Sequence, residues 1–461
     1  MNTKQYRLLF ENNDLFDSGY YLRRYADVRA KDMDSWRHYF QEGWKQQRIP
    51  SELAEQFSDS WDYTAENFQE FVESIEDSFP LDFSTSRITE DVRLYTRCLN
   101  FIKSMDGPVI VAGYPYESKL NDGYYQRIKA IDSVFGAKQR VYLDVFDNTV
   151  RAKWAEFIGD RVLVLKLRAF DRYKFLIHRL NHKIFSTPHW VYFHSLLALN
   201  CLPHLMDNSN AKIILDLHGA VPEELAYEGK TRLAEHFEEI ESKAVRRANW
   251  VISVSEALQH HIEAKHNLDL HEKSIILPIF EKIEVTDLSK PQVEGRYRFV
   301  YAGGTQPWQL VPEMMEVVNN LAADHDFSIF SGQPDQFRGL LDPAVTDSVK
   351  IESIDHEELL REYSSCHFGF ALRDESVVNR VACPTKIVEY LSTGVVPVLK
   401  TAHIGDFVSL GMKYLPVSDA IQNELPGVEE RDGMAALNQQ VYSKLLSQYE
   451  SSVKQLKEII N

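Results

Sequence analysis

Cysteine and long apolar runs are both scarce in this chain of 461 residues. Its four cysteines, Cys98, Cys201, Cys366 and Cys383, form no CxxC pair and no cysteine–histidine ladder. This spacing argues against a disulfide framework or a structural zinc site, and it favours a reducing compartment. No apolar run approaches the ~20 residues needed to span a bilayer, and the first residues lack the apolar core of a secretory signal. We therefore expect a cytoplasmic protein.

Positive charge is also in deficit, with 51 Lys and Arg residues against 68 Asp and Glu residues and a formal net charge of −17. Neutralising nucleic-acid phosphates needs an excess of cations, so we exclude nucleic acid as a general partner. Hydrophobic residues make up 44% and charged residues 26% of the chain, which excludes global disorder. The length favours about three units of roughly 150 residues.

Short apolar runs, each followed by a polar turn and a helical segment, begin near residue 107. Continuous apolar runs that alternate with helices are typical of parallel strands buried on both faces. Two such series predict an α/β protein with two Rossmann-like domains. The predicted strands lie in 108–113, 140–146, 161–167, 190–195, 212–219 and 250–255, and then in 297–304, 327–332, 349–353, 367–373 and 395–400.

The composition and apolar spacing of the sequence predict four regions. Residues 1–105, rich in charge and aromatics with helical spacing, form a helical accessory region. Residues 106–285 and 286–423 form the two Rossmann-like domains, and 424–461 form closing helices. Ligands of such domains bind beyond the carboxyl ends of the strands, so we expect a cleft there.

A helix start near residue 384 is the strongest local feature. Pro384 suits the first turn of a helix that runs through Thr385–Thr393 and stops at Gly394. Such a start attracts phosphate, and Lys386 adds a full cation. Glu389 lies one turn further, where a carboxylate can accept two hydrogen bonds from a ribose diol. A helix terminus with a surface Lys–Glu pair is the alternative.

This stretch resembles the donor-binding motif of GT-B glycosyltransferases, in the form P-x-K-x-x-E-Y-x-x-x-G-x-P-V that is common in the retaining family 4 group. The matching residues are Pro384, Lys386, Glu389, Tyr390, Gly394, Pro397 and Val398. The resemblance implies that Lys386 contacts a nucleotide diphosphate and Glu389 its ribose. Many relatives carry a second glutamate eight residues upstream of the ribose-binding one, where this chain has Val381. The sugar-side role then falls to backbone groups or to Asp374, Glu375 or Asn379.

Two further loops resemble the phosphate-binding loops of this family. YAGGTQPWQ (301–309) follows the first strand of the second domain, and its paired glycines permit close approach of an anion. KLNDGYYQRI (119–128) resembles the glycine loop across the cleft. Ordinary turns are the alternative in both cases. The predicted donor-binding residues are Gly123, Gly304, Thr305, Gln306, Arg373, Asn379, Thr385, Lys386 and Glu389.

Two histidines stand at predicted strand ends, His194 in WVYFHS and His218 in LDLHG. They resemble the histidine-bearing strand ends on the acceptor side of family 4 enzymes, whereas an isolated histidine is more often structural. Glu223 could bind an acceptor hydroxyl or simply begin a helix. We predict His194, His218 and Glu223 as acceptor-binding residues, and His194 with Lys386 and Glu389 as the catalytic set.

The segment 166–183 is locally basic. At about 100° per residue, Arg168, Arg172, Arg179 and Lys183 form a stripe beside apolar side chains, as in helices that touch anionic lipid. The cations are Lys166, Arg168, Arg172, Lys174, Arg179 and Lys183. We expect peripheral contact of 166–185 with an inner-leaflet membrane, the alternative being a core-packed amphipathic helix.

The segment Phe16–Ser51 is unusually aromatic and resembles a short module attached to bacterial polysaccharide glycosyltransferases. The matching residues are Tyr20, Tyr21, Tyr25, Asp27, Val28, His38, Tyr39, Gly43, Arg48 and Pro50. Packing of a small helical domain and docking of a partner enzyme or glycan are both open. By contrast, Asp324-His325-Asp326 precedes a predicted strand, and we interpret it as a turn.

Together these features predict a hexosyltransferase-type GT-B enzyme that moves a sugar from a nucleotide diphosphate to a glycan or lipid-linked glycan in bacterial surface polysaccharide (O-antigen or capsule) synthesis. The family resemblance implies retention at the anomeric carbon. Lys386 and helix termini would stabilise the leaving diphosphate, so no metal and no other cofactor is expected. The alternatives are a GT-B nucleotide-sugar epimerase or hydrolase, and a catalytically silent scaffold of a glycan assembly complex.

Overall fold

A computed structural model describes residues 16–31, 33–43, 46, 48–51, 85–120, 122–146, 154–167, 180, 184, 189–202, 211–279, 290 and 295–460. The chain divides into two compact units. The first comprises Met1–Tyr114, Ala137–Tyr192 and Cys201–Lys212, and the second Pro115–Gly136, Phe193–Asn200 and Ile213–Asn461. No helix of the described residues is long and apolar enough to cross a membrane.

The described strands belong to an eight-stranded sheet and a six-stranded sheet. They are β1 (Val109–Val111), β2 (Arg140–Asp144), β3 (Ala155–Ile158), β4 (Val162–Lys166), β5 (Trp190–His194), β6 (Lys212–Leu217), β7 (Trp250–Ser253), β8 (Ser274–Ile276), β9 (Arg298–Ala302), β10 (Asp326–Phe330), β11 (Val349–Glu352), β12 (Phe368–Phe370), β13 (Val396–Leu399) and β14 (Leu415–Pro416).

The structure also describes sixteen α-helices. They are α1 (Ser18–Arg24), α2 (Ala26–Ala30), α3 (Ser35–His38), α4 (Thr85–Ser104), α5 (Gly123–Phe135), α6 (Ser195–Cys201), α7 (Val221–Tyr227), α8 (Thr231–Arg247), α9 (Glu256–His266), α10 (Val311–Leu321), α11 (Pro334–Arg338), α12 (His356–Ser365), α13 (Val377–Arg380), α14 (Thr385–Thr393), α15 (Val417–Ile421) and α16 (Val428–Ile460).

In the first unit the strand order is β3-β4-β2-β1. β1, β2 and β4 pair in parallel, whereas β3 runs antiparallel to β4. Every residue of β1 and β2 is buried, which confirms the prediction from continuous apolar runs. β3 was not predicted because only Ala155 of its four residues is buried, so it lacks an apolar run.

In the second unit β6, β7 and β8 pair in parallel. The six-stranded sheet, of order β11-β10-β9-β12-β13-β14, is also parallel throughout. An aromatic ladder stabilises its core, since the ring of Phe299 stacks on Phe327 at 4.8 Å and on Phe368 at 5.1 Å. All eleven predicted strands are present, and the prediction of a two-sheet α/β fold is confirmed.

The predicted closing segment is one helix, α16, of 33 residues. It contacts α14, β13, β8 and α5 within the second unit. The Asp324–Asp326 triplet confirms the predicted turn, because β10 begins only at Asp326. Of the basic segment 166–183 the structure describes Lys166, Leu167 and Leu180, with Lys166 ending β4. The rest lies outside the described residues, so membrane contact stays a prediction.

The residues of the aromatic N-terminal motif contact one another. Arg48 donates two hydrogen bonds to the carboxylate of Asp27, at 2.9 and 2.7 Å, and its guanidinium lies 4.8 Å from the ring centroid of Tyr25. The fully buried Tyr21 pairs its hydroxyl with Nδ1 of His38 at 3.0 Å. These contacts explain the motif by packing alone, while a docking role of the module stays open.

Gly43 tests how tightly this module is packed. A Cβ at Gly43 would lie 2.1 Å from the Tyr21 hydroxyl. We therefore expect Gly43→Ala to destabilise the module by about 1–3 kcal/mol through overpacking. Proteolysis rates at residues 16–51, measured by mass spectrometry, report the change. Gly19→Ala is the matched control, because a Cβ there would lie 3.1 Å from the nearest side-chain atoms, those of Arg23 and Asp17, so a shift of a few tenths of an ångström accommodates it. Equal protection of both variants would contradict the packing argument.

Candidate functional site

A cavity of about 290 Å³ lies within the second unit. One group of lining residues, which we call the α7 wall, consists of His218, Glu224, Tyr227 and Glu228. A second group, which we call the Arg373 wall, includes Trp308, Arg373, Ser376, Asn379, Cys383 and Pro384. The walls follow the carboxyl ends of β6, β9 and β12, where parallel sheets bind ligands.

Helix α14 begins and ends as the sequence predicts. Pro384 is the N-cap residue, with φ −66°, and it supplies no side-chain hydrogen bond to the first turn. Gly394 ends the helix in the left-handed region, at φ 71°, which glycine adopts without a Cβ penalty. The first-turn N–H groups next to Thr385 therefore form an electropositive helix end beside the cavity.

Lys386 projects from this first turn towards the loop after β9. Its ammonium lies 4.2 Å from the ring centroid of Tyr301 and donates to Oε1 of Gln309 at 3.3 Å. A Cβ at Gly303 would lie 3.1 Å from the same Nζ, so glycine is what admits the lysine here. Burial lowers the pKa of Lys386 well below its ordinary value, and the charge of Arg373 lowers it further. A bound anion would reverse this effect.

The glycine loop itself is held in place. The Tyr301 hydroxyl donates to the carbonyl of Gly304 at 2.6 Å, and Thr305 donates to Gln336 at 2.7 Å. Gln306 accepts a backbone hydrogen bond from Gln309 at 2.8 Å. A second cavity, lined by Gly304, Thr305 and Gln306 together with Ser331, Gly332 and Gln333, adjoins these predicted donor residues.

Glu389 lies one turn along α14 from Lys386, but it faces a different neighbour. Its Oε1 pairs with Nε2 of His356 at 3.2 Å, at the edge of the helix. The side chain is 17% exposed, so water and ligands can reach it. The structure thus places Lys386 and Glu389 on one helix, with the lysine at the glycine loop and the glutamate beyond it.

The loop after β12 carries the remaining predicted donor residues. Arg373 donates to the carbonyl of Trp308 at 3.2 Å, and burial lowers its pKa. The buried side chain of Asn379 donates to the carboxylate of Asp374, which also accepts from the Tyr227 hydroxyl at 2.6 Å. Glu375 instead bonds Thr401 and His403, at 2.6 and 2.5 Å. Of the three side chains considered for the sugar side, only Asn379 lines the cavity.

A buried ion pair underlies the two predicted histidines. Arg127 donates to both oxygens of Asp216, at 3.1 and 3.0 Å, and both side chains are at most 1% exposed. Nδ1 of His194 and Nε2 of His218 each lie 3.4 Å from Oδ2 of Asp216. Burial opposes ionisation of Asp216, but Arg127 and His218 outweigh it and hold its pKa well below the ordinary value.

The two histidines differ in exposure. His194 is fully buried, and burial lowers its pKa to about 4, so its ring is neutral at pH 7. His218, whose Nε2 lies 3.2 Å from Nδ1 of His194, is the one that lines the cavity. The structure therefore brings both to one network, with His218 towards the ligand side and His194 behind it.

The same network is the one group of potential metal ligands found among the described residues, formed by His194, Asp216 and His218. Their ligand atoms lie 3.2–3.4 Å apart. However, Arg127 holds both oxygens of the carboxylate, and a divalent cation would lie against this guanidinium in a buried setting. We therefore interpret the group as a hydrogen-bonded ion pair, and metal independence stays a prediction.

The neighbouring glutamates 223 and 224 have different surroundings. Glu223 accepts from His261 and Lys265, both at 2.8 Å, and these bonds outweigh its burial and lower its pKa to about 2. Glu224 is the one that lines the cavity. A Cβ at Gly219 would lie 2.4 Å from its Oε1, so Gly219 leaves room for this carboxyl. Helix phase at 221–227 separates the two residues, which no motif indicated.

Gly123 has no packing reason to be glycine. It is the first residue of α5, capped by the side chain of Asp122, and a Cβ there would meet nothing within 4 Å. Tyr124, which follows it, donates to the carbonyl of His194 at 3.1 Å. The helix start therefore lies beside the histidine network, and a ligand role for Gly123 stays a prediction.

No protein-family model matches the chain, and neither does any curated protein. Solved structures do. Sucrose-phosphate synthase of Thermosynechococcus elongatus has 13% identity and a TM-score of 0.52, covering 77% of this chain and 98% of that chain. HepE of Anabaena, solved with UDP and glucose, has 15% identity and a TM-score of 0.52, covering 76% and 100%.

A match to TarM of S. aureus, at 13% identity and a TM-score of 0.45, covers 59% of this chain and spans 55% of that chain. At such low sequence identities, the matches with TM-scores above 0.5 establish the fold and nothing more. The chain has the two-sheet architecture of GT-B glycosyltransferases, as its sequence predicts. Membership of family 4 stays a prediction.

The Arg127–Asp216 pair should be essential to stability. Removing one partner of a buried pair leaves an uncompensated charge, so we expect Arg127→Met to lower the free energy of unfolding by about 3–5 kcal/mol. Adding Asp216→Asn to that variant should recover part of the loss. Urea unfolding at pH 7 measures both. Lys129→Met, on the exposed side of the same helix, is the control and should change stability by less than about 0.5 kcal/mol. An unchanged Arg127→Met protein would contradict the argument.

If the histidine group is a hydrogen-bonded ion pair, removing or adding metal ions should not change the stability of the protein. We expect dialysis against EDTA to leave the thermal unfolding temperature unchanged, because the carboxylate already has its cation. Zn²⁺ titrated into the dialysed protein should show no stoichiometric binding by calorimetry. Tight binding that His218→Ala abolishes would instead establish a metal site here.

Proposed function

We propose that the protein is a glycosyltransferase that takes its sugar from a nucleoside diphosphate donor. The observation that carries the proposal is the ammonium of Lys386, held at the Gly303–Gly304 loop beside the N-terminus of α14. Cation, helix terminus and glycine loop together form a diphosphate site. HepE, which has a similar fold, was solved with UDP and glucose, and this supports a nucleotide sugar as the donor.

The charge of the site suits departure of a diphosphate. Burial and Arg373 disfavour the charged form of Lys386 in the empty site, so an incoming diphosphate supplies the missing counter-charge. Negative charge grows on the leaving phosphate during sugar transfer, and preorganised cations and N–H groups stabilise it without reorganisation. Such a reaction needs no divalent metal. Glu389, one turn along, would hold the ribose diol in place of its present partner His356.

The acceptor in this proposal is a hydroxyl of a glycan or lipid-linked glycan, as in bacterial surface polysaccharide synthesis, with retention at the anomeric carbon. Support comes from the motif at residues 384–398 and from the aromatic module at 16–51. The epimerase or hydrolase alternative requires carboxylates and histidines facing the sugar from both walls. The Arg373 wall presents Arg373, Asn379 and Ser376 to the cavity, which favours a transferase.

Two variants of α14 test the donor site separately. Lys386→Ala should weaken binding of UDP, GDP or ADP about 10- to 150-fold, because a charge-assisted bond of about 1.5–3 kcal/mol is lost. The same variant should weaken the binding of inorganic pyrophosphate by a similar factor. Glu389→Gln should weaken the binding of nucleoside diphosphates, because Glu389 is proposed to hold the ribose. It should leave the affinity for pyrophosphate, which has no ribose, unchanged. Calorimetric titration in EDTA measures each affinity.

Lys400→Ala is the matched control, because Lys400 forms an exposed ion pair with Glu313. It should bind every ligand as the native protein does. His356→Ala frees the carboxylate of Glu389 and should preserve or raise nucleoside diphosphate affinity. If the native protein binds no nucleoside diphosphate, the proposed function fails and the scaffold alternative gains. If Lys386→Ala unfolds or binds normally, the site assignment is wrong.

A further inference from the structure

The α7 wall of the cavity carries its own charge pattern. Glu224 and Glu228 both line it, and their side chains are exposed. Partial desolvation by neighbouring protein atoms, together with the carboxylates of Glu223 and Glu228, raises the pKa of Glu224 to about 7. Glu223 pairs with Lys265 and lies 2.8 Å from Nε2 of His261, and Glu228 pairs with Lys230 at 2.6 Å. Glu224 is therefore the carboxyl of this helix that is directed at the cavity without a cation of its own among the described contacts.

The room for this carboxyl is built into the chain. Gly219 lies against Oε1 of Glu224, where a Cβ would be only 2.4 Å away. The aromatic side chain of Tyr227 belongs to the same wall. An aromatic surface beside a hydrogen-bonding carboxyl group suits a pyranose ring, which offers C–H groups on its faces and hydroxyl donors at its edge.

The cations proposed for the donor belong to other elements. Arg373 lines the cavity as part of the Arg373 wall, and Lys386 lies at the glycine loop. Both are committed to the diphosphate in the proposed function. A carboxylate or phosphate on the acceptor would thus face Glu224 with no lysine or arginine on the α7 wall to neutralise it. Like charges at close range disfavour binding, and they do so more strongly when the acceptor itself displaces water from the cavity.

We infer that the α7 wall binds the acceptor and that Glu224 restricts this acceptor to an uncharged sugar, excluding uronic acids and sugar phosphates. This inference rests on the proposed function, because it assigns the Arg373 wall to the donor. Glu224 acts as a specificity-determining residue: its carboxylate accepts hydrogen bonds from acceptor hydroxyls and repels acceptor anions.

The test compares matched acceptors at pH 8, where Glu224 is ionised. Methyl glucoside and methyl glucuronide, and likewise glucose and glucose 6-phosphate, are titrated into the protein that holds UDP, with saturation-transfer NMR as the binding readout. We expect the neutral member of each pair to bind about tenfold more tightly. Glu224→Gln keeps the shape of the side chain but removes its charge. In this variant the ratio of the neutral to the anionic affinity should fall at least about threefold.

Two variants control the comparison. Glu238→Gln removes an exposed carboxylate from helix α8, and it should leave the preference unchanged. Gly219→Ala displaces the Glu224 carboxyl without changing any charge. It should therefore weaken the binding of the neutral acceptors. A neutral sugar that binds no more tightly than its anionic partner, whether both bind or neither does, overturns the inference. UDP binding, measured beforehand without acceptor, decides the proposed function independently.

Discussion

A close approach between helix α14 and the six-stranded sheet determines where the candidate donor site lies. The ring of Tyr390 packs so closely on Gly369 of β12 that a Cβ there would lie 2.5 Å from the ring, and the Tyr390 hydroxyl donates to the carbonyl of Phe370 at 3.2 Å. This contact fixes the start of the helix against the loop after β9. Lys386 can then reach the glycine loop, with its ammonium 4.2 Å from the ring centroid of Tyr301.

A second fixed point, the buried Arg127–Asp216 pair, orients the groups behind the cavity. A guanidinium that holds both carboxylate oxygens leaves the carboxylate in one orientation. His194 and His218 both lie against the oxygen Oδ2, so their rings are positioned by the same pair. The two opposite charges offset each other's desolvation free energy. His218 is therefore held at the cavity by the buried ion pair, and this arrangement needs no bound ligand.

The sequence predicts the features that depend on local pattern and misses those that depend on tertiary contact. Apolar runs and the Pro384 and Gly394 signals locate the buried strands and helix α14, because period and capping are local properties. The ion pair of Arg127 and Asp216 joins residues 89 positions apart, so no spacing reveals it. Which of Glu223 and Glu224 lines the cavity depends on which face of a seven-residue helix meets His261 and Lys265, and adjacent glutamates look alike in sequence.

The distribution of charge around the cavity connects these two fixed points to the chemistry. The close approach of α14 concentrates cations on one side, while the α7 wall presents a carboxyl that no lysine of its own helix neutralises. In the proposed function these cations attract an anionic donor, whereas the carboxyl groups of the α7 wall repel it. An uncharged acceptor is repelled by neither group of residues, so the electrostatic field separates the two substrates by where it directs the donor.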